Sequence, residues 1–140
     1  MLPSDPIRKV LIVDDERTIT DTLVMIFSGN GYDARGVYSA EDARDLILTW
    51  SPNLAIIDVL LPEMNGIDLA ILLKAMCPDC HLTLFSGHGA TADLLEPALR
   101  QGHRFEVRSK PVHPTELLGW AAQYRTASET GTVNDQATEN

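Results

Sequence analysis

Residues 54–66 read LAIIDVLLPEMNG, and this stretch decides the fold. An unbroken apolar run, Leu54 to Ile57, delivers one carboxylate, Asp58, to a segment carrying Pro62, Asn65 and Gly66. An apolar run bounded by turn residues describes a buried strand that ends by presenting an acid to a loop. Two roles are open to that acid. It can cap the following helix, or it can stand at the carboxyl edge of a parallel sheet, where α/β folds gather their chemistry.

Working back from this strand, Ser51 and Pro52 close a helix that Ser39 caps and that runs to about Trp50, with Ala43, Leu46, Ile47 and Trp50 on one face. Tyr32 to Tyr38, between Gly31 and Ser39, suits a second strand near the sheet edge. Before it, Glu16 to Asn30 spaces Ile19, Leu23, Ile26 and Phe27 as a helix does, with Gly29 and Gly31 at its end. The first strand is Ile7 to Val13, running into Asp14, Asp15 and Glu16, and residues 1–6 form a flexible lead-in.

Working forward, the spacing predicts a helix over Gly66 to Met76, ended by Pro78, and a fourth strand over His81 to Phe85 that runs into Ser86, Gly87, His88 and Gly89. Ala90 to Gln101 is helical in composition. A proline inside a helix costs about 3 kcal/mol, so Pro97 predicts a kink or a short helix that begins there. Phe105 to Ser109 makes a fifth strand, Lys110 and Pro111 turn the chain, and Pro114 to Tyr124 forms a last helix with Leu117, Leu118 and Ala121 turned inward. Residues 126–140 hold almost nothing apolar and cannot offset their ordering entropy, which predicts a disordered tail or truncated linker after a domain spanning 7–125.

With 140 residues the chain suits one domain that buries about two thirds of its unfolded surface. Acidic residues outnumber basic ones by 20 to 11, for a formal charge of −9, which argues against direct nucleic-acid binding. The run Val10 to Val13 is too short for a secretory signal or a membrane span, so a cytoplasmic protein is expected. Cys77 and Cys80 fall in CPDCH, which matches both a redox C-x-x-C and a haem attachment sequence. The pair closes a helical stretch and precedes a strand, the reverse of a thioredoxin-type placement, and reduced structural thiols are expected.

Strands alternating with helices imply a doubly wound parallel sheet whose ligands gather at the carboxyl edge. The residues at that edge are Asp14 and Asp15 after the first strand, Asp58 after the third, Ser86 after the fourth and Lys110 after the fifth. Taken singly, the acids suit helix amino termini, Ser86 a loop and Lys110 a solvated surface. Taken together, three carboxylates would raise one another's pKa unless a hard cation is drawn in, and Mg²⁺ suits an all-oxygen site. Asp58, ionised at neutral pH, could then attack a phosphoryl donor and form an acyl phosphate, with Lys110 and Ser86 stabilising the transferring oxygens.

The motifs VLIVDDE (10–16), IIDVLLPEMNG (56–66), LFSG (84–87) and SKP (109–111) resemble the receiver domain of two-component response regulators, over about Ile7 to Tyr124. The resemblance implies an α/β, flavodoxin-like fold: a doubly wound five-stranded parallel sheet in the order 2-1-3-4-5 with helices on both faces. It implies that Asp58 is the phosphoacceptor, loaded by a sensor histidine kinase or a histidine phosphotransfer protein of a phosphorelay. Asp14, Asp15, Asp58 and the backbone carbonyl of Leu60 become the Mg²⁺ ligands, Ser86 the switch hydroxyl and Lys110 the phosphate-pairing lysine. A cis Lys110–Pro111 bond is implied too. Such a domain is a signalling phosphoacceptor that catalyses only its own phosphorylation and dephosphorylation, and it switches the surface of the fourth helix and fifth strand for a protein partner.

Two positions depart from the family. Val107 stands where a switch Tyr or Phe is usual, and Phe105, two residues earlier on the same face, is the candidate substitute. Pro97 interrupts the fourth helix, which suggests a mobile segment over Gly87 to Gln101. His88 reads as an exposed loop residue rather than one lining the approach to Asp58, and His81, His103 and His113 show no ligand spacing. A haloacid dehalogenase-like phosphohydrolase also uses an aspartyl phosphate, but it needs an acid two residues after the nucleophile, where this chain has Leu60. A flavin-binding electron carrier would need a phosphate loop after the first strand, where Asp14 and Asp15 repel one. A pseudo-receiver is excluded by the full set of phosphorylation residues.

Overall fold

The computed structural model of the protein describes residues 8–87 and 91–130. Five strands, β1 (Lys9–Val13), β2 (Asp33–Val37), β3 (Leu54–Asp58), β4 (His81–Ser86) and β5 (Glu106–Ser109), alternate with five helices, α1 (Arg17–Gly29), α2 (Ala40–Ile47), α3 (Gly66–Met76), α4 (Thr91–Arg100) and α5 (Pro114–Thr130). The strands form one sheet in the order β2-β1-β3-β4-β5, parallel throughout. This is the doubly wound topology expected from the alternation.

The period-two rule of strands sorts the core into two layers. Val10, Ile12, Leu54 and Ile56 face α1 and α5, where they meet Leu23, Phe27, Leu117 and Trp120. Leu11, Val13, Ala55 and Ile57 face the other way, onto Ala43 and Ile47 of α2, Leu69 and Leu73 of α3 and Ala98 of α4. All five residues of β3 are buried, so the strand carrying Asp58 is covered on both faces. The outer strands are more polar: Arg35 pairs with Asp33 on β2, and Arg108 on β5 pairs at 2.6 Å with both Glu106 and Glu116.

Local chemistry sets the element ends. Ser39 accepts the Asp42 amide at the start of α2, Asn65 accepts the Asp68 amide at the start of α3, and Gly31 takes φ 92° just after α1. Gly66 is required by a close approach: a Cβ there would stand 2.0 Å from the Asp58 carbonyl oxygen, because the Gly66 amide bonds to the Val59 carbonyl at 2.7 Å. The Lys110–Pro111 peptide is cis, as the resemblance implies.

Several expectations need correction. The late start at Pro97 is not found: α4 runs from Thr91 to Arg100 with Pro97 at its seventh residue. Proline removes the amide that would reach the Asp93 carbonyl, but Leu94, Leu95 and Ala98 pack on the core and outweigh that loss. The last helix passes Tyr124 and ends at Thr130, so the first residues of the expected tail are helical. β4 includes Ser86, whereas β5 begins one residue after Phe105. α2 ends at Ile47, and Leu48 and Trp50 complete it with turn hydrogen bonds to Asp45 and Leu46. The expected lead-in at 1–6, the tail at 131–140, and His88 lie outside the described residues.

The contact at Gly66 gives a stability prediction. Gly66→Ala forces a methyl group into backbone that cannot move independently and should destabilise the domain by about 1–3 kcal/mol or more in urea unfolding. Gly29→Ala, with open space around its Cβ at the end of α1, should be neutral or stabilising by up to about 1 kcal/mol.

Candidate functional site

The carboxyl ends of β1, β3, β4 and β5 meet in one place. Asp14 follows β1 and is fully buried, Asp58 ends β3 and is 4% exposed, and Asp15 beside them is exposed. A ligand oxygen from each of the three lies within 4.8 Å of the others. Ser86 ends β4 in the register position opposite Ser109, and its carbonyl accepts the Lys110 amide at 2.9 Å. Phe85 lies opposite Asp58 across the ladder, with its ring 5.0 Å below the Lys110 ammonium.

The two buried carboxylates are held alike. Asp14 Oδ1 accepts the amide of Glu16 at 2.9 Å, and Asp58 Oδ1 accepts the amide of Leu60 at 3.3 Å, each from two residues further on. The second oxygen of each turns to Lys110, whose Nζ lies 3.1 Å from Asp14 Oδ2 and 3.3 Å from Asp58 Oδ2. The approach to Asp14 lacks hydrogen-bond geometry, so Asp14 Oδ2 is a sealed acceptor without a hydrogen-bond partner. Capping of α3 belongs to Asn65, which frees Asp58 from the ordinary structural role its sequence position allows.

Burial and charge together shift the Asp58 carboxyl. Burial, then the neighbouring Asp14 charge, push the Asp58 carboxyl up to about 6, against the smaller lowering effects of Lys110 and the Leu60 amide. For Lys110 burial alone would lower the pKa, but its contacts with Asp14 and Asp58 outweigh this and raise it. The shortfall is thus one of positive charge. A buried carboxylate oxygen that lacks a hydrogen bond and shares its one lysine with two other acids, in a cluster of hard carboxylate oxygens, is the donor chemistry of a small divalent cation, and the residues present fit Mg²⁺.

Two participants escaped the sequence reading. Glu16 places Oε1 3.3 Å from Lys110 Nζ, and the only trace of this in sequence is its adjacency to the acid pair. Thr20, fully buried on α1, donates its hydroxyl to the Asp14 carbonyl at 2.6 Å and so fixes the helix to the end of β1. The cysteines behave as expected: both are free and buried, and burial followed by the charge of Cys77 pushes the Cys80 thiol up to about 12. Phe105 and Val107 are both partly buried against the α2–α3–α4 core layer, which agrees with their expected shared face.

The family model described as the response regulator receiver domain matches residues 10–121, most of the chain and every strand end in the site. The protein belongs to this family. Solved structures agree. A CheY-like receiver domain protein from Methanospirillum hungatei shares 25% identity at a TM-score of 0.78, covering 90% of this chain and 99% of that one. A Francisella receiver domain shares 25% identity at 0.72, covering 86% and 98%. NtrX from Brucella abortus, crystallised with ADP, shares 26% identity at 0.74, but this chain spans only 29% of its length. The receiver fold and the membership in two-component signalling follow; among the described residues no helix is long and apolar enough to cross a membrane.

The raised Asp58 pKa has a signed consequence for the metal-free receiver. A carboxyl whose folded pKa, about 6, exceeds its unfolded value of 3.8 stabilises the fold below the unfolded pKa, and this contribution is lost as pH rises through about 6. At about 1.4 kcal/mol per decade the loss is on the order of 3 kcal/mol. Asp58→Asn should therefore be more stable than wild type at pH 8, with the gap closing by pH 4. Urea unfolding of both proteins across that range in a chelating buffer checks it, and a variant less stable at pH 8 contradicts it.

Proposed function

We propose that this receiver takes a phosphoryl group onto Asp58 from a phosphohistidine on a sensor kinase or phosphotransfer protein, and that the modified site switches the surface of α4 and β5 for a protein partner. The observation that carries the reading is the convergence of Asp14, Asp58 and Lys110 at one sheet edge, with one buried oxygen of each acid left for charge rather than backbone. Asp14, Asp15, Asp58 and the Leu60 carbonyl would hold Mg²⁺, which when bound offsets the charge on the transferring oxygens.

The chemistry asks little of the protein beyond position and charge. An oxygen of Asp58 attacks phosphorus, the P–O bond forms as the P–N bond to the donor breaks, and the electron pair returns to the imidazole nitrogen. Lys110 exchanges part of its hold on the acids for the phosphoryl oxygens, and the Ser86 hydroxyl hydrogen-bonds another. An apolar groove of about 480 Å³, with Thr18, Ile19 and Leu23 of α1 facing Val112 and Pro114, opens beside Lys110 and offers the donor protein a footing.

The route outward runs through the same lysine. Its amide is tied to Ser86, and β5 carries Val107, with Phe105 just before it, onto the layer that also holds Leu94, Leu95 and Ala98 of α4. A phosphate brings about −1.5 to −2 charge, and α4 lacks one internal hydrogen bond at Pro97, so the helix is a soft receiver of that change. The receiver modifies only itself, in the cytoplasm.

Incubation with Mg²⁺ and a small phosphodonor, read by intact-protein mass spectrometry, tests the assignment. Wild type should gain one phosphoryl group, Asp58→Asn none, and Lys110→Ala should react at least about 10²-fold more slowly. Equal uptake by wild type and Asp58→Asn refutes it.

A further inference from the structure

The opposite end of the sheet carries a second cavity, of about 770 Å³, lined by Arg8, Asn53, Lys74, Asp79, His81 and Tyr124. It lies at the amino ends of β1, β3 and β4. Asn53 and Asp58 bracket β3, so the two sites stand about 16 Å apart along one strand. Nothing in the phosphoacceptor reading uses it.

Its lining is built from donors. The Asn53 carbonyl oxygen Oδ1 accepts the Lys9 amide at 2.8 Å, and the carboxamide NH₂ makes no hydrogen bond among the described residues. Arg8 Nε is buried without a hydrogen-bond partner, and Arg8 pairs with no carboxylate among the described residues. Lys74 ties the α3–β4 turn by donating to the Pro78 and Cys80 carbonyls at 3.0 and 2.7 Å, so its charge meets only backbone oxygens. Asp79 is the single acid of the lining. In a chain carrying nine excess negative charges, two cations without carboxylate partners at one opening form a local positive field. His81 registers that field: burial first, then Lys74 and Arg8, lower its pKa, against a smaller raising effect of Asp79.

The other half of the lining is flat. His81 stacks on Tyr124 with ring centroids 3.8 Å apart and an angle of 16°, and Trp120 meets Tyr124 edge-on at 5.7 Å. His81 itself remains exposed and lines the cavity. The volume exceeds what a bare oxyanion fills and falls in the range of organic-ligand sites.

We propose that this cavity binds a small organic anion with a planar ring, of the nucleoside monophosphate class, its charged group on Arg8, Asn53 and Lys74 and its ring on His81. Arg8 supplies a guanidinium charge that no carboxylate among the described residues neutralises, Asn53 adds neutral donors, and Lys74 adds charge beside the turn it braces. The ring extends the His81–Tyr124 stack by one member. This site does not depend on whether Asp58 is phosphorylated.

The test is an amide NMR titration of the full ¹⁵N-labelled chain with adenosine monophosphate, inorganic phosphate and adenosine, in a chelating buffer. The nucleotide should shift the amides of Asn53 and His81 saturably and bind at least about tenfold more tightly than either fragment, a difference of about 1.4 kcal/mol. Arg8→Gln should weaken it about tenfold and leave phosphorylation of Asp58 unchanged. The proposal is overturned if no shift saturates, if phosphate alone binds as tightly as the nucleotide, or if the shifts centre on Asp14 and Asp58. An unaltered affinity in Arg8→Gln, with its folded spectrum retained, overturns it equally.

Discussion

One ammonium serves three carboxylates, and the rest of the site follows from that shortage. Lys110 Nζ lies within 3.3 Å of Asp14, Glu16 and Asp58, while Asp15 stands in the same cluster. Two of these acids are out of solvent, where like charges repel with little screening. The fold tolerates the arrangement because each buried carboxylate is anchored by a backbone amide two residues on, and because the strands beneath are fully packed on both faces. The strain is electrostatic and is concentrated where a cation can relieve it.

Much of this was legible in the chain. The apolar runs before Asp14 and Asp58, and Ser39 at the start of α2, are local signals, and they placed the strands and that cap correctly, whereas the α3 cap fell to Asn65 rather than to Asp58. Adding the carboxyl-edge rule brought Asp14, Asp15, Asp58, Ser86 and Lys110 together from distant positions. The misreadings have a common cause. Pro97 argues against a helix by its own chemistry, yet Ala98 and its neighbours are buried, and packing contributes more than one lost hydrogen bond. Glu16 and Thr20 were passed over because their roles are pairwise contacts across elements, which no periodicity encodes.

The sheet separates two kinds of chemistry. Its carboxyl edge gathers acids around a lysine, and its amino edge gathers donors around Asn53, whose backbone bonds to both Lys9 and His81. A parallel sheet makes this division natural, since every strand begins at one edge and ends at the other. Lys74 and Asn53 brace the amino edge: Lys74 donates to the Pro78 and Cys80 carbonyls, and the Asn53 side chain accepts the Lys9 amide.

The ion pairs on the outermost strands bear on how the molecule meets its neighbours. A strand at the rim of a sheet offers unpaired backbone groups to any extended chain, and charged side chains make that union unfavourable. Asp33 with Arg35 on β2, and Glu106 with Arg108 on β5, put charge at both rims, and Arg108 is held down further by Glu116 of α5. Growth of the sheet by a sixth strand, whether from a partner or from a misfolded copy, is thereby discouraged on both sides. The charges at both rims guard the sheet against edge-to-edge stacking into fibres.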